Sequence, residues 1–367
     1  MFPYFLVFAI CLFLNWRSSS KKILPILLSC LILSLLAGVR DMHVGTDTDL
    51  YPPTYMSALR KITSFSDIIH LESDLDKGYL FLYWIGAWID RHIWIELFLT
   101  ELVISVFTFL GYYRLSKHFG SSIIVFTLAF LFLIYNYTLN AMRQECAIAI
   151  TFFAFSYLWE KRWIYYILWM SVAYTFHSST IIALSVPFLL YVSNIESDRK
   201  RNRMVLITII SIVIAFASFY YIVNMIADYG LFNEAYATRY GEGGAYEGTS
   251  RVAFAPLSIS LTIYYFIYLS YKKQIVNNNV IAFHILLNTI YMLCLFLSTL
   301  SVFLYRIGLS FYIIDVYLLS VELSSKKVNV VLRTISILVM IVYWVFNYII
   351  KNNSETYPYT SEIIGIN

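Results

Sequence analysis

The chain has 367 residues, of which 60% are hydrophobic and only 13% charged, and its mean hydropathy is +0.71. Soluble proteins hold roughly 45–50% apolar and about 25% charged residues. This composition cannot cover a water-facing globule, which excludes a soluble domain and makes the bilayer the solvent. Cys11, Cys30, Cys146 and Cys294 all lie in apolar runs without CxxC spacing, a pattern of packing residues and not of a disulfide framework or zinc site.

A helix needs about 20 mostly apolar residues to cross the hydrocarbon layer. The first candidate is residues 2–16, followed by Arg17, Lys21 and Lys22. A cleavable signal peptide carries its charges before the apolar core, so this order predicts a retained helix with its N-terminus outside. Basic clusters recur at Arg114 with Lys117, Lys161 with Arg162, Arg199 to Arg203, Lys272 with Lys273, and Lys326 with Lys327. By the positive-inside rule they mark cytoplasmic loops.

The pieces between those loops must each cross an even number of times. Residues 119–158 therefore predict a hairpin turning near Asn140 to Arg143, and residues 163–193 two short or tilted segments turning near His177. A further hairpin turns near Arg306, and a last span over about 328–350 leaves the tail outside. Residues 78–89 are apolar, yet parity allows them no crossing, so an amphipathic or re-entrant helix at the outer interface is expected there. An external loop is expected near 224–252. The reading is an all-α polytopic membrane protein of about twelve transmembrane helices, with 1–367 as a single integral membrane domain.

Several charged groups fall on the outer face, where positive-inside biogenesis selects against arginine. The segment Arg40-Asp41-Met42-His43-Val44-Gly45-Thr46-Asp47-Thr48-Asp49-Leu50-Tyr51 follows the second apolar run. An arginine fork suits phosphate oxygens, and a carboxylate can orient that fork or take a proton from a sugar hydroxyl. The competing reading is a solvated loop with Arg40 snorkelling at a helix end. Arg143 starts a helix that places Ala147, Ile150 and Ala154 on its own side, so it should face the bundle. A buried ion pair is the competing explanation, for which Glu145, pointing elsewhere, is a poor partner.

His177, in Tyr174-Thr175-Phe176-His177-Ser178-Ser179-Thr180, can serve as a general base near neutral pH, or be an ordinary packed histidine. Arg306 lies near the outer boundary, and Asp315, nine residues on, is on the opposite helix face, so the two do not pair within one helix. Arg239 and Arg251 flank tyrosines in the external loop that could stack on sugar rings, or the loop is simply a hydrophilic connector. There is no P-loop, Rossmann glycine pattern, GxSxG or HExxH, so ATP hydrolysis, nicotinamide chemistry and zinc proteolysis have no support.

Three motifs in order, Arg40-Asp41 through Val44-Gly45-Thr46-Asp47 to Tyr51, Met142-Arg143-Gln144-Glu145-Cys146-Ala147, and Phe176-His177-Ser178-Ser179, resemble the EpsG-like family of polysaccharide polymerases. Within it the chain is similar to bacterial O-antigen polymerases of the Wzy type. The resemblance runs from about residue 35 to the Tyr357-Pro358-Tyr359 tail, with Cys146 standing where a glycine or small residue is expected. It implies a GT-C-like, metal-independent membrane glycosyltransferase without cofactor, acting at the periplasmic side of the bacterial inner membrane. Its substrates would be oligosaccharide repeat units on undecaprenyl pyrophosphate. A chain-length regulator protein is a partner the resemblance allows, membrane lipid is another, and no nucleic acid is expected.

In that chemistry Arg40, Arg143, Arg251 and Arg306 would hold pyrophosphate, with Arg239 and Tyr51 as further substrate contacts. His177 would accept the acceptor proton, with Asp41 and Asp47 as alternates. A flippase or proton-coupled permease, for which Asp315 would be the intramembrane carboxylate, and an O-antigen ligase are the competing readings.

Overall fold

The computed structural model describes residues 1–16, 22–48, 59–71, 73, 75–90, 92–218, 221, 254–299 and 302–366. These are helical almost throughout, and a single isolated bridge between Ser361 and Ile366 is the one β contact among them. In chain order the helices are α1 (Phe2–Trp16), α2 (Leu24–Gly38), α3 (Phe65–His70), α4 (Lys77–Ile89), α5 (Trp94–Phe119), α6 (Ile123–Leu133) and the single turn α7 (Tyr135–Thr138). Then come α8 (Met142–Trp159), α9 (Trp163–Phe176), a 3-10 stretch (Ser178–Ser185), α10 (Val186–Ser193), α11 (Asp198–Ala217), α12 (Phe254–Lys273), α13 (Asn278–Leu297), α14 (Val302–Ser324) and α15 (Val330–Trp344). A π turn over Val345–Ile350 extends α15.

Four of the described helices are long and apolar enough to cross a membrane, over Trp94–Phe119, Asn278–Leu297, Leu304–Ser324 and Val330–Ile350. Shorter apolar helices occupy Phe2–Trp16, Leu24–Gly38, Ile123–Leu133 and Ser178–Ser193. The chain is thus an all-helical, multi-pass membrane protein. The segment 78–89 falls in a helix, α4, of 13 residues. The loop expected near 224–252 lies outside the described residues.

The helix ends follow local chemistry. Pro25 opens α2, where its missing N–H costs nothing. Gly120 closes α5 in the left-handed region at φ +64°, its N–H bonding the Ser116 carbonyl. Asn329 caps α15 by accepting the Leu332 N–H at 2.7 Å.

The described residues fall into two compact units. One holds Met1–Ile181 and Leu323–Asn367, the other Ile182–Glu322. In the first, α5 packs against α2 and α8, and α8 against α9. Its core joins Tyr79 and Tyr83 of α4 to Ile95, Leu97 and Ile104 of α5 and to Met142 and Cys146 of α8, with Phe176 packed alongside. A second aromatic cluster binds the termini to the bundle: Tyr4 meets Tyr359 at 5.4 Å and Trp344 at 6.1 Å between ring centroids, and Phe8 meets Tyr135 at 5.6 Å. Edge-on aromatic pairs of this kind are worth about 0.5–1.5 kcal/mol each beyond their burial.

In the second unit α12 packs on α13, and α11 and α10 pack on α13. Asp315 does not pair with Arg306. It faces His284 of α13 at 3.5 Å from Nε2, and Glu322, two turns along α14, approaches His284 Nδ1 at 3.3 Å. All three side chains are buried. The sequence reading puts the preceding turn near Arg306, whereas α13 ends at Leu297 and α14 already begins at Val302. Arg306 is therefore inside a helix and half-buried. A charged residue near an apolar boundary need not mark a turn, because a long side chain can reach a polar zone from within the helix.

Candidate functional site

The first unit gathers polar residues around the turn between α7 and α8. Arg40, just past the end of α2, is only 4% exposed and points into that turn. Its Nη2 donates to the Leu139 carbonyl at 2.9 Å and lies 3.4 Å from Thr48 Oγ1 and 3.3 Å from Met142 Sδ. Burial pulls its pKa below the arginine range, against the opposing pull of Tyr4, Tyr135 and Glu101. Arg40 thus braces the turn.

Gly45 explains how loop and turn approach so closely. Its φ is +101°, and a Cβ there would come within 2.6 Å of the Leu139 carbonyl oxygen. Only glycine fits both conditions. Beside it, Asn140 Oδ1 accepts from the Thr46 hydroxyl and, at 3.2 Å, from the Asp47 N–H. On the inner side Thr138 donates to Glu101 at 2.6 Å, and Asn136 donates to Thr356 at 2.9 Å while accepting from Trp344 Nε1 at 2.5 Å.

The C-terminal tail closes the loop from the other side. Asp41 N–H donates to the Thr360 carbonyl at 3.1 Å, and Asp41 Oδ1 accepts the Glu362 N–H at 2.8 Å. Gly45 N–H donates to the Glu355 carbonyl at 2.8 Å, His43 Nε2 lies 2.9 Å from Thr360 Oγ1, and Tyr359 donates to the Leu36 carbonyl at 2.7 Å.

Arg143, in the first turn of α8, faces a different partner. Its Nη1 lies 3.4 Å from Asp76 Oδ2, and both side chains are 28% exposed. Asp76 immediately precedes α4, so the core between α4 and α8 fixes this distance. Burial raises the Asp76 pKa, and the Arg143 cation lowers it again in smaller measure.

The same end of α4 is pressed against the end of α9. Gly78 sits so close to α9 that a Cβ would fall 2.9 Å from both the Thr175 carbonyl carbon and the Phe176 ring. His177 follows as the residue that ends α9. Its Nδ1 accepts the Ser179 N–H at 3.2 Å and lies 2.7 Å from Ser179 Oγ. An Nδ1 that accepts a backbone N–H leaves the neutral ring with its proton on Nε2.

The geometry brings Arg40, Asp41, Asp47, Arg143 and His177 into one unit. Arg306 belongs to the other unit, and Tyr51, Arg239 and Arg251 lie outside the described residues. Among the described residues no group of three or more His, Cys, Asp and Glu side chains is placed to hold a metal ion. Sequence reasoning missed Asp76, which sits among other polar residues before an apolar run and carries no local signal. It also missed Glu101, which a carboxylate inside an apolar helix could have betrayed.

A model of the EpsG family matches residues 23–361, nearly the whole chain and all of this constellation. The chain belongs to the EpsG family. That membership makes it a member of a family of polysaccharide polymerases. No curated protein matches the chain, and no solved structure does. Within this EpsG-family chain, the Arg40-to-Asp47 loop meets the Met142-Arg143 turn, and Asp76 and Gly78 link that turn to the Phe176-His177 helix end.

Proposed function

We propose that the chain polymerises oligosaccharide repeat units carried on undecaprenyl pyrophosphate into O-antigen or a related surface polysaccharide, at the periplasmic face of the bacterial inner membrane. The observation that carries this reading is the half-exposed Arg143–Asp76 pair beside the His177 helix end. A cation already balanced by a carboxylate, yet open to water, can exchange that partner for phosphate oxygens.

In the reaction, an acceptor sugar hydroxyl bonds to the anomeric carbon of the growing glycan as the bond from that carbon to the pyrophosphate oxygen breaks. The pyrophosphate leaves with the electron pair, and the hydroxyl proton goes to a base. The planar fork of Arg143 suits the charge gathering on the phosphate oxygens. Asp76 suits the base role, because burial raises its pKa and so makes the carboxylate more basic.

His177 takes a role that differs from the general base expected of it. With Nδ1 engaged by the Ser179 amide, its Nε2–H is a donor suited to the departing phosphate. Asp41, bound to the tail, and Asp47, beside Asn140, serve the loop. Arg40 acts through the turn it braces. Arg251, Arg306, Arg239 and Tyr51 remain proposed substrate contacts, the GT-C-like arrangement with about twelve spans remains the proposed architecture, and a chain-length regulator is a proposed partner.

The test is glycolipid analysis of a deletion strain carrying Arg143→Ala or Asp76→Asn at normal protein level. Single-repeat glycolipid should accumulate with no polymer ladder. Full-length polymer from both variants overturns the site, whereas loss of all periplasmic lipid-linked sugar in the deletion strain points to a flippase.

A further inference from the structure

The second unit holds a cleft of about 590 Å³ between α11, α12 and α13, within the roughly 300–1,000 Å³ range of small-molecule sites. Its lining is graded. Where α11 starts, α12 ends and α13 starts, the walls are Asp198, Arg201, Asn202 and Asn278. Deeper along the same helices they become apolar, with Val205, Ile281 and Ile285. Tyr264, Tyr268 and Tyr271 run down one face of α12 and join the two zones.

The polar end contains an unmet donor. The Arg201 side chain is 5% exposed, its Nη1 donates to Asn279 Oδ1 at 2.8 Å and to the Ile195 carbonyl at 3.3 Å, and its Nη2 donates to Asp198. Its Nε is buried with no hydrogen-bond partner among the described residues, and Asn278 Oδ1 is likewise unsatisfied. A second cation stands at the rim, Lys272 Nζ lying 5.3 Å over the Tyr268 ring. Arg199, Lys200, Arg203 and Lys273 crowd the same helix ends against only Glu196 and Asp198. The cleft is basic at one end and oily at the other.

We infer that this cleft binds an anionic glycerophospholipid. Its phosphate takes the free Arg201 Nε–H and the field of Lys272, while an acyl chain lies along the tyrosine face toward Ile285. Basic recesses between membrane helices select anionic headgroups, at about 1 kcal/mol per Lys or Arg near the surface. None of the residues that line this cleft is among those proposed for the polymerase chemistry.

The test is native mass spectrometry of the full-length protein released from nanodiscs of mixed phosphatidylglycerol and phosphatidylcholine. Phosphatidylglycerol should stay bound through delipidation in preference to phosphatidylcholine. Lys272→Gln should weaken its retention on the order of fivefold, and Ala282→Trp, which fills the cleft, should abolish the preference. Should Ala282→Trp fail to give monodisperse protein, Tyr268→Ser combined with Lys272→Gln replaces it, since both side chains reach the exposed rim. Equal retention of the two lipids, wild-type retention by the variants, or displacement of phosphatidylglycerol by inorganic phosphate overturns the inference. Asp76→Asn should leave the preference intact, which separates this test from that of the polymerase site.

Discussion

Arg143 Nη1 and Asp76 Oδ2 stand 3.4 Å apart, joining the first turn of α8 to the residue before α4 while both remain 28% exposed. A pair this open to solvent is worth at most about 1 kcal/mol to the fold. Its removal should therefore be read in catalysis and not in stability. Arg143→Lys keeps the charge but loses the fork, and Arg143→Ala loses both. Polymerisation by purified protein on a lipid-linked repeat should fall about 10²–10³-fold in the alanine variant, the scale of losing one transition-state donor, with the lysine variant between. The melting temperature should barely move. Parallel loss of both would make the pair structural.

The pH profile tests the base. Burial raises the Asp76 pKa from its ordinary value, and Arg143 opposes that shift. Activity that needs the carboxylate form should decline as pH falls through this raised value. In Arg143→Gln the opposing cation is gone, so the acid limb of the residual activity should move to higher pH. The stability sign is the reverse. A folded pKa above the unfolded one means that the contribution of Asp76 is present at low pH and fades as pH rises through the folded value. Asp76→Asn should accordingly be neutral or slightly stabilising at neutral pH while abolishing polymer, and a large loss of melting temperature would count against this account.

How far the sequence reaches is clear from individual residues. The turn expected near Asn140 to Arg143, which falls at Leu139 to Ala141, and the helix end at His177 follow from apolar runs bounded by basic loops, because the bilayer imposes length on each piece. Membership of the EpsG family is legible too, in three short motifs. Asp76 is not legible, since only the packing of α4 in the core it shares with α8 brings it to Arg143, and only the approach of Gly78 to Thr175 and Phe176 brings the start of α4 to the end of α9. The partner of Asp315 is hidden for the same reason. His284 lies on another helix, and no spacing rule links them. Long-range side-chain meetings are set by tertiary packing, to which one-dimensional periodicity is blind.

The buried His284–Asp315–Glu322 set separates polymerase from proton-coupled transporter. Removing one member of a buried charged set costs about 3–5 kcal/mol, while exchanging the whole set for apolar residues of similar size is often neutral. As a structural tie between α13 and α14, it should tolerate the joint change of His284, Asp315 and Glu322 to Leu, with polymer retained, whereas Asp315→Leu alone should lower thermal stability sharply. Normal stability with complete loss of function in the triple variant would instead favour proton movement through this set.

The tail offers the last test, because its hydrogen bonds brace the Arg40-to-Thr48 loop. Thr360 and Glu362 hold Asp41, Glu355 holds Gly45, and Tyr359 reaches back to Leu36. Each neutral hydrogen bond contributes only about 0.5–1.5 kcal/mol, so Tyr359→Phe should leave polymer nearly intact. Deleting residues 353–367 removes all of these contacts together and frees the Arg40-to-Thr48 loop from its outer side. The truncated chain should insert in the membrane and resist proteolysis in its helical core, yet the loop should become cleavable and polymerisation should cease. Gly45→Val should reproduce that outcome with the tail present, since its Cβ would strike the Leu139 carbonyl and its φ of +101° is closed to valine. Should the truncated chain polymerise normally while Gly45→Val does not, the brace that matters is the turn at Leu139, and the tail is dispensable packing.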